Sequence, residues 1–304
     1  MVNKLFFKKW TIGICVNATI GDILSSGKFD PEIKWMRTKS TDEFFADPFP
    51  LYINDNNIKI LCESLAFDKD YGKISLLTLD RNANQVSRKT LLDTKSHLSY
   101  PFVFRENGNT YIFPESGKSG KLSCYQFDPV TESINFVQDI ISEPLLDATI
   151  IKLNGKYWVF ACTWQQGEKN YELKIFYSSH LLGPYTVHAG NPIKTGLDGI
   201  RSAGNIFEMD GILYRPAQNC KKLYGESIVI NKITELSENT FAETPSADIC
   251  INKKRKSNFG IHTLHTINVV DDAIIVDGEY WFFAPIQQLK KSLKYRAKKY
   301  VRQK

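Results

Sequence analysis

The chain has 304 residues, of which 42% are hydrophobic, 12% are aromatic and 24% are charged. This composition is typical of a globular protein and excludes a disordered chain. No run approaches about 18 uncharged apolar residues, and the N-terminal apolar stretch is too short and too interrupted for a signal peptide, so the sequence predicts a cytoplasmic protein. Six cysteines are spread almost evenly without a CxxC pair, which favours reduced core thiols over a zinc site or disulfides.

The net charge of +6 arises from 39 basic and 33 acidic residues, and it is concentrated at the C-terminal end. Eight of the 39 basic residues lie between Lys290 and Lys304, which leaves 31 basic against 33 acidic residues elsewhere. A nearly neutral body disfavours nucleic acid as a partner.

Apolar residues in this tail recur at steps of three and four, at Leu289, Leu293, Ala297 and Tyr300. The segment 286–304 is therefore predicted to form a short basic amphipathic helix that docks on an anionic membrane surface, the inner face of the cytoplasmic membrane. Two alternatives stay open: a solvated tail without a partner, and a short helix packed against the body of the protein.

Before the tail, short runs rich in Val, Ile, Tyr, Phe and Trp alternate with Gly, Asn and Asp, which predicts an all-β chain. A repeat is visible in which a polar residue opens a strand, a turn follows, and a second aromatic-rich strand comes after it. The copies read DPFPLYINDNNIKILCES from Asp47, YPFVFRENGNTYIFPES from Tyr100, DATIIKLNGKYWVFACT from Asp147, RSAGNIFEMDGILYRPAQ from Arg201 and HTLHTINVVDDAIIVDG from His262.

The copies start roughly 47 to 61 residues apart, a period that leaves about four strands for each unit and predicts a five-bladed β-propeller over residues 1–285. The segments KISLLTLD and QVSRKTLL supply the third and fourth strands of the first unit. An early strand, Trp10 to Val16, is predicted to pair into the last blade and close the ring, which removes an exposed edge.

The first strand of each blade lines the channel of a propeller, so residues that open these strands converge although they are far apart in sequence. The candidates at the blade openings are Asp47, His97, Tyr100, Asp147, Arg201 and His262. The candidates at the ends of the adjacent second strands are Glu63, Glu115, Trp164, Arg215 and Gln218. Carboxylates, guanidiniums and imidazoles in one concave site are the groups expected of an active site.

Each candidate also has a structural interpretation. Asp47 is explained equally by a turn before Pro48, and Glu115 by a solvated loop. Arg201 and Arg215 are explained by ion pairs with the carboxylates, and His262 and His265 by buried, hydrogen-bonded imidazoles. The sequence has no glycine-rich phosphate loop, no GxSxG and no HExxH, so we expect neither a metal ion nor a cofactor.

Two family resemblances follow from these segments. The opening ADPF, with a second channel aspartate two copies later, resembles the five-bladed furanosidase propellers of glycoside hydrolase family 43. That resemblance implies one Asp as a base, a second Asp that tunes a pKa, and a Glu as general acid.

The more specific resemblance is to the propeller domain at the N-terminus of plant glucosamine inositolphosphorylceramide transferases and in stand-alone bacterial proteins of surface-polysaccharide gene clusters. The matching segments are FADPFP, HLSYPFVF with IFPES, LLDATIIKLNGKYWVF, RSAGNIFEMDGILYRPAQNC with YGESIVINKI, and GIHTLH. This resemblance implies a carbohydrate-active propeller, a glycosyltransferase of bacterial capsule or lipopolysaccharide O-antigen assembly.

The residues themselves distinguish transfer from hydrolysis. A hydrolase needs a carboxylic acid to protonate an alcohol leaving group. Where the hydrolases offer their general acid, this chain has Arg201, with Arg215 on the next strand, and a guanidinium binds phosphate well. We therefore expect a transferase that uses a phosphate-activated sugar donor and a glycan or lipid-linked oligosaccharide acceptor. The resemblance to the furanosidases implies a furanose as the donor sugar.

In this interpretation Arg201, Arg215 and His262 hold the donor phosphates, and Asp47 or Asp147 acts as base or stabilises the transition state. The sugars are positioned by Glu115, Tyr100, Trp164 and Gln218. Two alternatives remain: a glycoside hydrolase with Glu63 or Glu115 as the acid, and a carbohydrate-binding propeller without catalytic activity.

Overall fold

Five antiparallel sheets form a five-bladed β-propeller in the computed structural model of the chain, the fold class that the sequence predicts. The structure describes residues 5–16, 19–26, 29–38, 40, 42–54, 56–164, 170–254, 258, 260–270 and 273–286. Apart from Ile286, the basic tail that the sequence predicts to be helical lies outside these residues.

The first two blades are four-stranded meanders whose strands follow one another in sequence order. Blade 1 consists of β3 (Glu43–Ile53), β4 (Asn57–Ala66), β5 (Lys73–Asp80) and β6 (Gln85–Leu92). Blade 2 consists of β7 (Ser99–Glu106), β8 (Asn109–Glu115), β9 (Leu122–Asp128) and β10 (Ser133–Ile141).

Blades 3 and 4 follow the same order with extra short strands. Blade 3 consists of β11 (Leu146–Leu153), β12 (Lys156–Trp164) and β13 (Tyr171–Ser178), with β14 (Thr186–Val187) and β15 (Lys194–Gly196) both paired to β13. Blade 4 consists of β16 (Asp198–Ser202), β17 (Phe207–Met209), β18 (Ile212–Asn219), β19 (Ser227–Leu236) and β20 (Phe241–Ile249).

The fifth blade joins the two ends of the propeller. Its strands are β21 (Ile267–Val270), β22 (Ala273–Phe283), β1 (Phe6–Val16) and β2 (Glu32–Trp35), in that order across the sheet. Strand β1 pairs with β22 from Phe6 opposite Phe283 to Cys15 opposite Ile274, so N-terminal sequence closes the ring. The first strands of neighbouring blades contact one another, β3 with β7 and β21, and β11 with β7 and β16.

The burial of each strand explains its sequence. In β5 the six central residues are buried, whereas β6, the outermost strand of the same blade, exposes six of its eight residues. Apolar side chains therefore fill the space between blades, while charged residues such as Arg88 and Lys89 protect the outer edge against pairing with another chain. The largest apolar cluster packs residues of blades 1, 2 and 3 against one another.

One short helix, α1 (Ile20–Ser26), interrupts the β structure and was not expected from the sequence. Thr19 and Asp22 cap it reciprocally, since Thr19 Oγ1 accepts the Asp22 N–H and the Asp22 carboxylate accepts the Thr19 N–H. A seven-residue helix is too short to show helical periodicity in sequence. Among the described residues, no helix is long and apolar enough to cross a membrane.

The first strands of blades 1, 2 and 3 share a β-bulge at the same place. The bulged residues Asp47, Tyr100 and Asp147 have φ values of 52°, 41° and 49°, in the left-handed region. In each blade the pairing register shifts directly after the residue that precedes them. A bulge bends its strand and redirects a side chain, so this repeated distortion turns three corresponding side chains toward the middle of the ring.

Gly204 lies where blade 4 packs closely against blade 5, so a substitution there tests the contact between these two blades. Its φ is +127°, and an added Cβ would lie 1.8 Å from the Ile267 carbonyl oxygen. Gly204→Ala is expected to lower the free energy of unfolding by several kcal/mol, because backbone must move to admit the methyl group. Gly108→Ala is the control, since Gly108 also has positive φ but no atom within 4 Å of an added Cβ. It should cost only about 1 kcal/mol. Thermal and urea unfolding of both variants compare them, and equal losses would contradict the described contact.

Candidate active site

Carboxyl groups from four blades meet at the centre of the ring. Among the described residues, five lie there and are buried, namely Asp47, Glu63, Glu115, Asp147 and Asp277. They are close enough for each of Asp47, Glu63 and Glu115 to have its pKa raised by the charge of others in the group. Five carboxyl groups in one buried site cannot all be ionised. The neighbouring cations therefore determine which of them carry a negative charge and which keep a proton.

Arg201 neutralises one side of this group. Its Nε donates to Asp147 Oδ2 at 2.6 Å, and its Nη2 lies 3.7 Å from Glu115 Oε2. Gln218 Nε2 donates to the same Asp147 oxygen at 3.2 Å and to the Ser202 carbonyl, which fixes the carboxylate. Asp147 is therefore held as the charged partner of Arg201.

His265 neutralises the opposite side. Its Nδ1 lies 2.7 Å from Asp277 Oδ2, and its Nε2 lies 3.4 Å from Asp47 Oδ1. Burial alone would lower the pKa of this imidazole, but Asp277 and Asp47 outweigh burial and raise the pKa to about 9. The ring also stacks on Trp10, with centroids 4.0 Å apart, a contact that favours the imidazolium.

Asp47 is oriented by three hydrogen bonds, two to its carboxylate and one from its backbone N–H. The backbone N–H of Tyr100 donates to its Oδ2 at 3.1 Å, the hydroxyl of Thr266 donates to its Oδ1 at 2.9 Å, and its own N–H donates to Asp277. Burial raises the pKa of Asp47 to about 6, against the effect of His265 and with that of Asp277 and Asp147. This carboxyl therefore changes charge close to neutral pH.

Glu63 and Glu115 both have a raised pKa, which favours the neutral carboxylic acid. Burial, with Asp47 and Glu115 as neighbours, raises the pKa of Glu63 well above its ordinary value. Burial, with Asp147 as the main neighbour, does the same to Glu115. His97 faces Glu63, with Nε2 3.8 Å from Oε1, and its Nδ1 accepts the Gly72 N–H, so Nε2 carries the proton of the neutral ring.

Aromatic side chains surround Arg201 at the mouth of the site. Its guanidinium lies 5.2 Å from the ring centres of both Tyr171 and Tyr224. Trp164 meets Tyr171 edge to face at 4.7 Å and is half-exposed. Exposed aromatic faces beside buried polar groups are suited to stacking against sugar rings.

Most residues that the sequence predicts for the site lie together here: Asp47, Glu63, His97, Glu115, Asp147, Trp164, Arg201 and Gln218. Tyr100 lies deeper, and its hydroxyl bonds to Thr149 Oγ1 and to the N–H and carbonyl of Gly204. The expectation that Tyr100 positions a sugar is corrected: its side chain is completely buried and ties blade 2 to blade 4.

Two further expectations are corrected. Arg215 forms a buried ion pair with Glu243 and donates to the Gly199 carbonyl at 2.6 Å, so its guanidinium serves the packing of blade 4 rather than donor phosphates. His262 lies 3.1 Å from Glu279 and stacks on Trp281, so the central imidazole is that of His265.

Sequence reasoning missed Asp277, Tyr171 and Tyr224, and it assigned His262 rather than His265 to the pocket. Asp277 faces the pocket from the second strand of blade 5, the place that Glu63 and Glu115 take in blades 1 and 2, and this correspondence is the signal that could have found it. Tyr224 lies in the YGESIVINKI segment, one of those that carry the family resemblance, to which the sequence assigns no role in the site.

A metal ion has one candidate place in the described part of the chain. Asp47, His265 and Asp277 offer ligand atoms within 4.8 Å of one another. Asp277 Oδ1 already accepts the N–H of Thr266 at 2.9 Å, and Oδ2 accepts that of Asp47 at 2.9 Å. These bonds suit a carboxylate paired with an imidazolium, and a metal ion would have to displace the proton between them.

Comparison with known proteins shows which family the chain belongs to. Residues 34–278 match the family described as "Glucosamine inositolphosphorylceramide transferase 1, N-terminal". The chain belongs to this family.

Among the relatives of this family member, glucosamine inositolphosphorylceramide transferase 1 of Oryza sativa subsp. japonica is 34% identical over 207 residues, which is 66% of this chain and 28% of the relative. The Arabidopsis thaliana protein of the same name is 36% identical over 207 residues and is covered to 27%. The chain thus spans less than a third of these relatives.

Among solved structures, a family 117 glycoside hydrolase from the marine bacterium Zobellia galactanivorans has a TM-score of 0.55 at 13% sequence identity. The match covers 91% of each chain. At this identity the likeness shows the fold, a propeller along nearly the whole chain.

The raised pKa of His265 predicts a pH dependence of stability. The folded protein keeps a proton up to about pH 9 that the unfolded chain releases near pH 6.5. This contribution is complete below pH 6.5 and is lost as the pH rises to 9, on the order of 3 kcal/mol at most. Urea unfolding between these pH values measures it. His265→Gln should flatten the dependence, whereas the exposed control His180→Gln should keep it, and a wild-type stability that rises over this range would contradict the assignment.

Proposed function

We propose that this protein is a glycosyltransferase that moves a sugar from a phosphate-activated donor to a hydroxyl group of a glycan acceptor. The observation that carries the proposal is the division of charge in the pocket. Asp47 changes charge near pH 6, while Arg201 is a cation held by Asp147, a carboxylate whose charge also acts on the pKa of Asp47. A general base works best when its pKa lies near the working pH, and a departing phosphate needs a cation rather than a proton.

The reaction divides between these groups. The Asp47 carboxylate accepts the proton of the acceptor hydroxyl as its oxygen attacks the anomeric carbon of the donor. The bond from that carbon to the phosphate oxygen breaks, and the phosphate leaves with the electron pair and meets the Arg201 guanidinium. The Tyr100 N–H and the Thr266 hydroxyl keep Asp47 in place.

The aromatic mouth supplies the sugar contacts in this proposal. Trp164, Tyr171 and Tyr224 present ring faces or edges beside Arg201, and ring stacking orients a sugar without requiring further charge. The family name supports the reaction class, since both plant relatives are named as transferases.

The finer proposal concerns the acceptor. The sequence resemblance to stand-alone propellers of bacterial polysaccharide clusters supports a role in capsule or O-antigen assembly, with a lipid-linked acceptor at the inner face of the cytoplasmic membrane. A furanosyl donor is proposed by analogy with the furanosidase propellers.

Glu115 favours a second candidate, a glycoside hydrolase. Burial and Asp147 raise the pKa of this carboxyl, which favours the protonated state that a general acid needs when the leaving group is an alcohol. Asp47 would then activate water.

Variants of Asp47, Arg201 and Glu115 distinguish the two reactions. The protein is incubated with a panel of nucleotide sugars and a lipid-linked oligosaccharide, and with aryl furanosides and pyranosides, while released nucleotide and released phenol are measured. Asp47→Asn should reduce transfer by about 100-fold or more, because it removes the base. Arg201→Lys should reduce transfer by a similar factor, whereas Glu115→Gln should keep most of it.

Asp210→Asn is the matched control, because Asp210 is exposed and has a φ of 53°, like the 52° of Asp47. It should leave activity unchanged. The transferase would be contradicted, and the hydrolase established, if the wild type released phenol from the aryl glycosides without releasing nucleotide. In that case Glu115→Gln would abolish the release of phenol.

A further inference from the structure

Exposed apolar side chains gather on the pocket side of the propeller, around the mouth of the site. We call this group the mouth patch; it consists of Leu5, Leu223, Tyr224, Trp281, Phe283 and Ile286, all exposed. Contiguous exposed apolar surface rimmed by polar residues marks an interaction site.

Strand β22 leads directly from the pocket to this patch. Asp277, Glu279, Trp281 and Phe283 alternate along the strand and share one face. Asp277 and Glu279 are buried, whereas Trp281 is 49% exposed and Phe283 is 57% exposed. Six residues of strand span about 20 Å, so the patch begins at the site and projects beyond it.

The partner strand β1 continues this surface. Phe6 lies opposite Phe283 and meets it edge to face at 5.3 Å. Lys8 lies opposite Trp281, with its Nζ 5.5 Å from the indole ring. Aromatic rings and a lysine thus occupy the same end of this pair of strands.

The loop between β18 and β19 adds to the same side. Tyr224 meets Trp10 edge to face at 6.3 Å, and Trp10 stacks on His265 of the pocket. Beside it, Leu223 is exposed, as are the side chains of Lys221 and Lys222. Lys221 pairs with Asp198 and Lys222 with Glu226, so this part of the mouth combines apolar groups with surface ion pairs.

The excess positive charge near the mouth comes from the sequence that follows the patch. Lys8, Lys221 and Lys222 are exposed, but they are paired with Glu279, Asp198 and Glu226. The chain continues from Ile286 into residues 287–304, whose sequence contains eight basic residues and no acidic residue. Tryptophan, phenylalanine and lysine together are the composition of membrane-interface segments.

We propose that the mouth patch docks on an anionic lipid bilayer, with the pocket opening toward the lipid headgroups. The apolar side chains enter the interfacial region, while the basic residues that follow Ile286 in the sequence are attracted to anionic headgroups. This surface would bring a lipid-linked acceptor to the pocket. It stands on its own contacts, so its failure would leave transfer to a soluble acceptor intact.

Vesicle co-sedimentation of the full chain tests this proposal. Vesicles of phosphatidylcholine with phosphatidylglycerol should bind the protein, and pure phosphatidylcholine vesicles should bind it far less. Added salt should weaken binding. Trp281→Ser with Phe283→Ser should weaken binding about tenfold or more, because two aromatic groups no longer enter the interface.

Phe136→Ser is the matched control, since Phe136 is 60% exposed on β10 of blade 2. It should bind like the wild type, and the circular dichroism and melting temperature of each variant show that it is folded. Equal vesicle binding by the folded double variant and the wild type would overturn the proposal. So would a wild-type dimer in solution that binds no vesicles and that the double variant converts to a monomer, since the patch would then be covered by a second copy of the chain.

Discussion

The burial of five carboxyl groups at one point is the constraint on which the site depends. An unpaired buried charge is strongly unfavourable. In the described residues Asp147 pairs with Arg201, Asp277 pairs with His265, and Glu63 and Glu115 have raised pKa values that favour their protonated forms. What remains is Asp47, whose charge changes near neutral pH.

The repeated bulge shows how one backbone distortion serves two purposes. Asp47 and Asp147 use the left-handed conformation to place carboxylates in the pocket, and Asp tolerates that conformation better than most residues. The left-handed conformation is less favourable for Tyr100, but the Tyr100 hydroxyl stabilises the propeller by hydrogen bonding to Gly204 across the centre. The blade is thus a common template, and the side chain at the bulge decides between chemistry and structure.

Strand alternation made much of the fold predictable. The segments KISLLTLD and QVSRKTLL correspond to β5 and β6 with the same bounds, and the N-terminal strand closes the fifth blade. The fifth blade itself begins at Ile267, after the predicted His262, because its copy of the repeat is divergent and its chain enters the sheet later.

Site residues were predictable where they occupy corresponding positions of the repeat. They were not predictable where packing between blades determines the direction of a side chain. Asp47 and Asp147 follow from the aligned blade openings. Arg215 and Gln218 lie three residues apart on one strand and therefore on opposite faces, so one meets Glu243 and the other meets Asp147. Only the assembled ring shows which face looks inward.

The charge division can be measured without a substrate. Infrared difference spectra of the wild type against Glu115→Gln and Glu63→Gln, recorded at neutral pH, report whether each carboxyl carries a proton. The account predicts that each variant loses a protonated carboxylic acid band and no carboxylate band, while Asp47→Asn loses a carboxylate band that the wild type gains as the pH rises through about 6. Loss of a carboxylate band in Glu115→Gln, with Asp47 ionised well below pH 6, would contradict it.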